Sequence, residues 1–525
     1  MMHVQKIKPN QTLYPALGGM IFFFFLLATL IQGSALSVLV SGRVIGIVCI
    51  VVFLCIPCLL YLWRRKGKLT EERIVFLIVF AGMFLHCCYV LLSGLYERQH
   101  DEGVYTGIAT NQVNPGHIGY IEYIYKFHKL PDINPYALFS YYHPPLHYVL
   151  SGLWLILLTA LGMPEELAFE NLQALPLLYT GLFMLLTYRI LKETGAKGRG
   201  LYAGMVLVSL HPALTILSGS INNDMLSTLL LGCCILTTLH FIQDRSLKNL
   251  LLLALSIGLG MLCKINTAVI AFPVGLILLM DLIDNIRTKD KKKILRCIRN
   301  DALFGLVCGG IGLAWIVRNL VRFHVKPGIS SATEASVMYT GDYSIWARVG
   351  IPALADWYFD FPFHPLSGDV IHNTWVIMFQ TSLFGEIYPA ESAGFELLLC
   401  RIAYPAAILF ATASAVLFGM VQVRKIKSGI REIVYEGIFL LAGYGCFLLS
   451  FVVFSLKYPY TCSSDFRYIV INLIYIALGL SDSDRFCPGK TKAAAIAHII
   501  QAGVCVTLVL TTLVYVIWMQ WGGVI

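Results

Sequence analysis

An all-α polytopic membrane fold is predicted by three features of the 525-residue chain: a high apolar content, scarce charge, and recurring apolar runs of spanning length. Apolar residues make up 58% and charged residues 13%, with a mean hydropathy of +0.74. Soluble domains carry about 25% charged residues, so this chain could not cover a water-facing surface. Hydrocarbon must be its solvent over much of its length.

Each crossing needs about 20 apolar residues. Runs near that length lie at 14–33, 36–63, 73–95, 170–192, 199–218, 225–243 and 247–263. Six more follow at 266–285, 301–321, 395–421, 434–455, 465–481 and 495–519. The expectation is therefore about 13 transmembrane helices. A further apolar stretch, 146–162, follows Pro144-Pro145, which fix an extended approach to a helix start.

Charge decides how that stretch is placed. With the N-terminus cytoplasmic, the basic clusters Arg64 to Arg73, Arg189 to Arg199, Arg245-Lys248, Arg287 to Arg299, Arg424 to Arg431 and Arg485 to Lys492 all fall on the cytoplasmic side. That agreement holds only if 143–162 does not cross, so an interfacial or re-entrant helix is expected there. The formal charge of +9 is carried by these clusters. No nucleic-acid partner is expected from it. The fifteen Cys residues sit almost entirely within apolar runs and show no zinc spacing, which reads as cysteine used as a small apolar side chain. No cleavable signal peptide is evident, since a second apolar run follows the first at once.

Two long segments, 96–143 and 322–394, fall on the external side, where loops of such length usually carry function. The first opens with Tyr96 to Gly103, including the adjacent acids Asp101-Glu102 beside His100. Such a pair could hold a base of raised pKa or bind a metal, although solvated loop acids are commonplace. The same loop ends with Tyr141-Tyr142-His143-Pro144-Pro145-Leu146-His147, residue types that also suit the headgroup zone. Asn223-Asp224 opens another span externally, where Asp224 either caps orphan amides or supplies a second carboxylate. Lys264, in a break between two short spans, either snorkels to the interface or offers a point charge to a lipid phosphate. Arg467-Tyr468, after Asp465, places a cation at an external helix start against the charge bias, which calls for an anionic partner such as phosphate or Asp465.

The order of these features resembles the GT-C membrane glycosyltransferases, especially the family 39 protein-mannosyltransferase and aminoarabinose-transferase type. The residues that carry the resemblance are Asp101-Glu102 after the first core span, His143 to Leu146 at a helix start, Asn223-Asp224, Gly258 to Lys264, and Arg467-Tyr468. It covers roughly 73–480. On this resemblance, 1–68 adds two N-terminal transmembrane helices, 69–321 forms the GT-C core with its first external loop 96–143, 322–394 is a second long external loop, and 395–525 holds the C-terminal spans.

The resemblance implies a polyprenyl-phosphate sugar donor, a protein, lipid or wall-glycan acceptor, surrounding membrane lipids, and an active site on the external face. Asp101 would be the base or the activator of the acceptor, with Glu102 as its neighbour, and Asp224 the second acid, orienting acceptor or metal. Lys264 and Arg467 would hold the donor phosphate. His143, Tyr142, Tyr468 and Asn223 would line the substrate. A divalent ion stays open, with Asp101 and Asp224 as its carboxylates. Glu386, in a Leu-Phe-Gly-Glu segment, receives no role. The competing reading is a transporter or flippase of a lipid-linked saccharide, against which the acids stand at span ends rather than at the midplane.

Overall fold

The computed structural model describes residues 13–34, 41–95, 105–108, 112–326, 339–351, 372–385, 395–489 and 491–521. It is all-helical among these residues apart from one isolated antiparallel bridge, Tyr339 to Tyr460. The chain is a multi-pass membrane protein, and lipid-facing side chains such as Phe22, Phe23, Leu54 and Leu306 are exposed, as hydrocarbon solvent permits and water would not.

The N-terminal part contains α1 (Leu13–Gln32), α2 (Gly42–Arg65), α3 (Glu71–Leu92), α4 (Gly116–Phe127), α5 (Leu146–Ala160), α6 (Glu165–Glu170) and α7 (Ala174–Glu193). There follow α8 (Gly198–Leu210), α9 (Pro212–Leu217), α10 (Asp224–Gln243), α11 (Leu247–Cys263), α12 (Ala271–Arg287), α13 (Lys291–Gly312) and α14 (Ala314–Phe323). The rest comprises α15 (Ile345–Val349), α16 (Thr374–Phe384), α17 (Phe395–Ile426), α18 (Arg431–Lys457), α19 (Asn472–Phe486) and α20 (Lys492–Trp521).

Nine helical segments among the described residues are long and apolar enough to cross a membrane, or eleven if two bent pairs each count as one. The expected count of thirteen also included 199–218 and 247–263. There the structure has α8 with 13 residues, α9 with 6, and α11 with 17. At 1.5 Å per residue α8 spans only about 20 Å, and Pro212 ends it by denying the chain a donor. The bent pairs are α13–α14, with 54° between them, and the 461–469 turns with α19, with 45°. Helix α5 has 15 residues, too short to cross, at the place where an interfacial helix was expected.

The 322–394 segment is less loop-like than its sequence suggested. Helix α16 lies within it and is buried on most of its surface. Its short length and flanking turn residues hide it from a search for 20-residue runs.

Close helix approach rests on small residues. A Cβ on Gly82 of α3 would stand 2.3 Å from the backbone oxygen of Ser209 on α8, so no side chain fits without parting the helices. Gly82→Leu is expected to lower the melting temperature of the solubilised protein and Gly18→Leu, where nothing lies within 4 Å, to leave it within a few degrees. Equal melting curves would refute this account of the α3–α8 contact.

The first long loop is anchored to the end of the α13–α14 pair. Arg322 forms an ion pair with Asp132, Arg318 donates to Pro131 O at 2.6 Å, and Tyr136 Oη donates to Lys326 O at 2.5 Å. Within the loop, Tyr120 is stacked between Tyr141 at 4.8 Å and Tyr148 at 4.1 Å. Tyr141 Oη donates to the carbonyls of Asn114 (2.9 Å) and Gly119 (3.1 Å). The aromatic layer fixes α4 against α5.

Candidate active site

Because α10 and α11 are consecutive and antiparallel, the start of α10 and the end of α11 lie side by side. Asn223 joins them, its Nδ2 donating to Cys263 O at 2.9 Å. That carbonyl belongs to the last turn of α11 and would otherwise lack an intrahelical partner. Asn222 Oδ1 accepts from the Asp224 amide at 3.0 Å. The capping task at the head of α10 thus falls to Asn222, and the Asp224 carboxylate is left for other partners.

Those partners are cations. Asp224 Oδ1 is ion-paired with Lys264 Nζ, and Asp224 Oδ2 lies 4.0 Å from Arg467 Nη1. The three side chains are almost wholly buried: Asp224 is 4%, Lys264 8% and Arg467 8% exposed. Lys264 therefore does not snorkel. Tyr468 lies against both cations, its ring centroid 4.9 Å from Lys264 Nζ and 5.3 Å from Arg467 Cζ, in the range of cation–π attraction.

Arg467 is aimed by its own turn. Asp465 Oδ1 accepts from the Arg467 amide at 2.7 Å, and the Phe466 amide donates to Thr381 Oγ1 of α16 at 2.9 Å. His211 stacks on Phe466 with centroids 5.2 Å apart. Asp465, one of the two partners expected for Arg467, caps its backbone, while the Asp224 carboxylate approaches its guanidinium. His211 carried no sequence signal that would have placed it here, and Thr381 falls in the 379–386 segment of the second loop, to which no role was given.

The end of the first loop supplies a second wall. His143 stacks on His117 at 5.3 Å and packs on Tyr142 at 4.4 Å. His117 Nδ1 is hydrogen-bonded to Tyr148 Oη at 2.7 Å. Burial pushes the Tyr148 hydroxyl far above the usual phenol range, with nearby Tyr120, Tyr142, Cys263 and Asp224 adding to the effect. It therefore stays protonated. The influence of Cys263 and Asp224 also marks α5 as a neighbour of the α10–α11 junction.

Of the nine residues singled out for substrate or catalysis, Asn223, Asp224, Lys264, Arg467 and Tyr468 come together, with Tyr142 and His143 on the adjoining loop wall. Asp101 and Glu102 lie outside the described residues, as does Glu386. Among the described residues no group of three or more His, Cys, Asp or Glu could hold a metal ion, and the Asp224 carboxylate already faces two cations. Asp101, the other carboxylate named for a divalent ion, lies outside the described residues.

Beside Phe466 opens a cavity of about 560 Å³, lined by Trp375, Phe379, Phe410, Tyr444, Phe466 and Leu508 among others. Its wall is overwhelmingly apolar, and it is shared by α16, α17, α18, α19 and α20.

Residues 143–298 match the model of the family described as dolichyl-phosphate-mannose-protein mannosyltransferase. No curated relative matches the chain. Among solved structures, ArnT from Cupriavidus metallidurans bound to undecaprenyl phosphate is similar at 14% identity, over 86% of this chain and 77% of that one, with a TM-score of 0.46. The Archaeoglobus fulgidus oligosaccharyltransferase tethered with an acceptor peptide is similar at 14% identity, over 83% of this chain and 55% of that one, with a TM-score of 0.44. The resemblance to GT-C membrane glycosyltransferases thus has a family-model match behind it, over the segment that runs from His143 through Asp224 and Lys264.

Proposed function

We propose that this protein transfers a sugar from a polyprenyl-phosphate donor to an acceptor hydroxyl or amide at the external face of the membrane. The observation that carries this reading is the buried grouping of Asp224, Lys264 and Arg467 at one end of the bundle, within reach of an apolar cavity. Two buried cations around a single carboxylate are costly to desolvate. An anionic headgroup entering from the lipid would relieve that cost by sharing them.

In this reading Lys264 and Arg467 hold the donor phosphate, Arg467 by its planar fork and Lys264 as a point charge. The isoprenoid chain enters the cavity beside Phe466. Asp101 is the proposed base, with Glu102 beside it, and Asp224 orients the acceptor. The acceptor loses its proton to the carboxylate as its nucleophilic atom bonds to the anomeric carbon. The bond between that carbon and the phosphate oxygen breaks, and the polyprenyl phosphate leaves with one more negative charge. Lys264 and Arg467 stabilise that growing charge. Tyr142, His143, Tyr468 and Asn223 line the sugar and headgroup, Asn223 chiefly by holding α10 to α11. No step needs a nucleotide, because the donor carries its own activation.

The test is reconstitution with a panel of polyprenyl-phosphate sugars. The native chain is expected to transfer from at least one, and a single displacement predicts an inverted anomeric centre by NMR of the product. Arg467→Gln should weaken undecaprenyl phosphate binding by about 10- to 100-fold, the value of one charge-assisted contact. Unaltered binding by that variant, or no binding by the native chain, would remove the phosphate site.

A further inference from the structure

His147 is the second residue of α5, and no step above uses it. Its ring is 1% exposed, yet neither Nδ1 nor Nε2 has a hydrogen-bond partner among the described residues. The other imidazoles on this wall have contacts of their own: His117 Nδ1 is bonded to Tyr148 Oη, and the His143 ring stacks on His117 and packs on Tyr142. His147 meets Tyr148 edge-on at 5.2 Å and lies within electrostatic reach of both His117 and Asp224. It is thus the imidazole nearest in character to an unfilled half of a hydrogen bond, at the seam between the loop wall and the carboxylate.

Its chemistry narrows what fills that half. Burial first, and His117 second, push its pKa down to about 3, so the ring is neutral at physiological pH. A neutral imidazole offers one donor and one acceptor. A phosphate needs donors and positive charge, which Lys264 and Arg467 already bring. A hydroxyl group donates and accepts, and a sugar is a cluster of them. A buried polar group built to pair with a ligand hydroxyl rejects a ligand lacking it, because the protein group is then left unpaired in a dry site.

Resting on the reading of this site as a polyprenyl-phosphate sugar transferase, we propose that His147 is a specificity-determining residue which binds one hydroxyl of the transferred sugar through a ring nitrogen. It has no part in holding the phosphate. The division of labour is spatial: cations from the α10–α11 junction and the 466–469 turn grip the phosphate, and the start of α5 reads the sugar.

The experiment uses the full chain in detergent, native and with His147→Leu or His147→Gln. Undecaprenyl phosphate and a set of undecaprenyl-phosphate hexoses and matched deoxyhexoses are titrated by native mass spectrometry, with kcat and KM measured where transfer occurs. Undecaprenyl phosphate should bind all three proteins equally. The preferred sugar-bearing donor should bind His147→Leu about tenfold or more weakly, and His147→Gln should recover part of that loss, since its amide also donates and accepts. One deoxy donor should lose affinity for the native protein and lose nothing further on His147→Leu. The proposal is overturned if His147→Leu binds the sugar-bearing donor as the native chain does, if no deoxy donor singles out the native protein, or if phosphate binding falls in parallel. Native protein that binds undecaprenyl phosphate but gains nothing from any sugar overturns His147 alone. Native protein that binds no undecaprenyl phosphate overturns the reading of the whole site.

Discussion

Asp224→Asn is expected to lower kcat by about 10²-fold, the scale on which a misplaced reactant slows a positioned reaction, while undecaprenyl phosphate binds as tightly as before or more so. The second half of this prediction separates a catalytic carboxylate from a structural one. In the resting protein Asp224 competes with any incoming phosphate for Lys264 and Arg467. Asn keeps the shape and an oxygen acceptor but removes the competing charge. The two buried cations then depend on the donor for their counter-charge, so ligand-free protein should be destabilised by roughly 3–5 kcal/mol, as for other broken buried pairs. Undecaprenyl phosphate should return most of that loss by mass action. The checks are turnover, a binding isotherm, and thermal unfolding with and without undecaprenyl phosphate. Turnover within threefold of native, or binding and turnover falling together, would show that Asp224 does not act as proposed.

Much of the candidate site was legible because its residues violate the local rule for their position. Arg467 stands at a helix start on the side where basic residues are scarce, and Lys264 sits in a break between two short spans. Each is costly in that setting without a partner, and the structure supplies the partner in Asp224. His147 was visible in the His-Pro-Pro-Leu-His segment but carried no assignment, since a histidine near a membrane surface has bland explanations. What distinguishes it is burial beside the candidate site without a hydrogen bond among the described residues. Thr381 was illegible for another reason: it acts by receiving the Phe466 amide, and a threonine that serves a distant backbone leaves no pattern in its own neighbourhood.

The fold shows the same division. Long apolar runs marked the long helices, because length and apolarity are what a bilayer demands. The short helices α8 and α16 are buried by their neighbours and need not meet that demand, so apolar runs alone do not tell them from crossings. Charge patterning gave an expectation of side and was silent about role. Lys425 was counted among the loop charges of a basic cluster, yet it is 2% exposed in the bundle.

Lys425 carries the second large prediction. Its Nζ lies 2.6 Å from Glu436 Oε1 on α18 and is ion-paired with Asp482 on α19, so a residue of α17 joins three helices. Asp482 is near the end of α19 and Arg467 precedes its start, which puts this triad at the opposite end of the bundle from the candidate site. Lys425→Met keeps the aliphatic stem but leaves the buried Asp482 and the partly buried Glu436 without their cation. A loss of about 3–5 kcal/mol is expected, seen as a large drop in melting temperature. The combination Lys425→Met, Glu436→Gln and Asp482→Asn should recover a good part of it, because no charge is then buried unpaired. A buried ion pair contributes little beyond what neutral packing would; breaking half of one is what costs. Folded Lys425→Met protein should bind undecaprenyl phosphate like the native chain, since the triad touches none of the groups that would hold it. A melting temperature unchanged by Lys425→Met would mean that water reaches these carboxylates, and that the α17–α18–α19 junction is held by its apolar contacts alone.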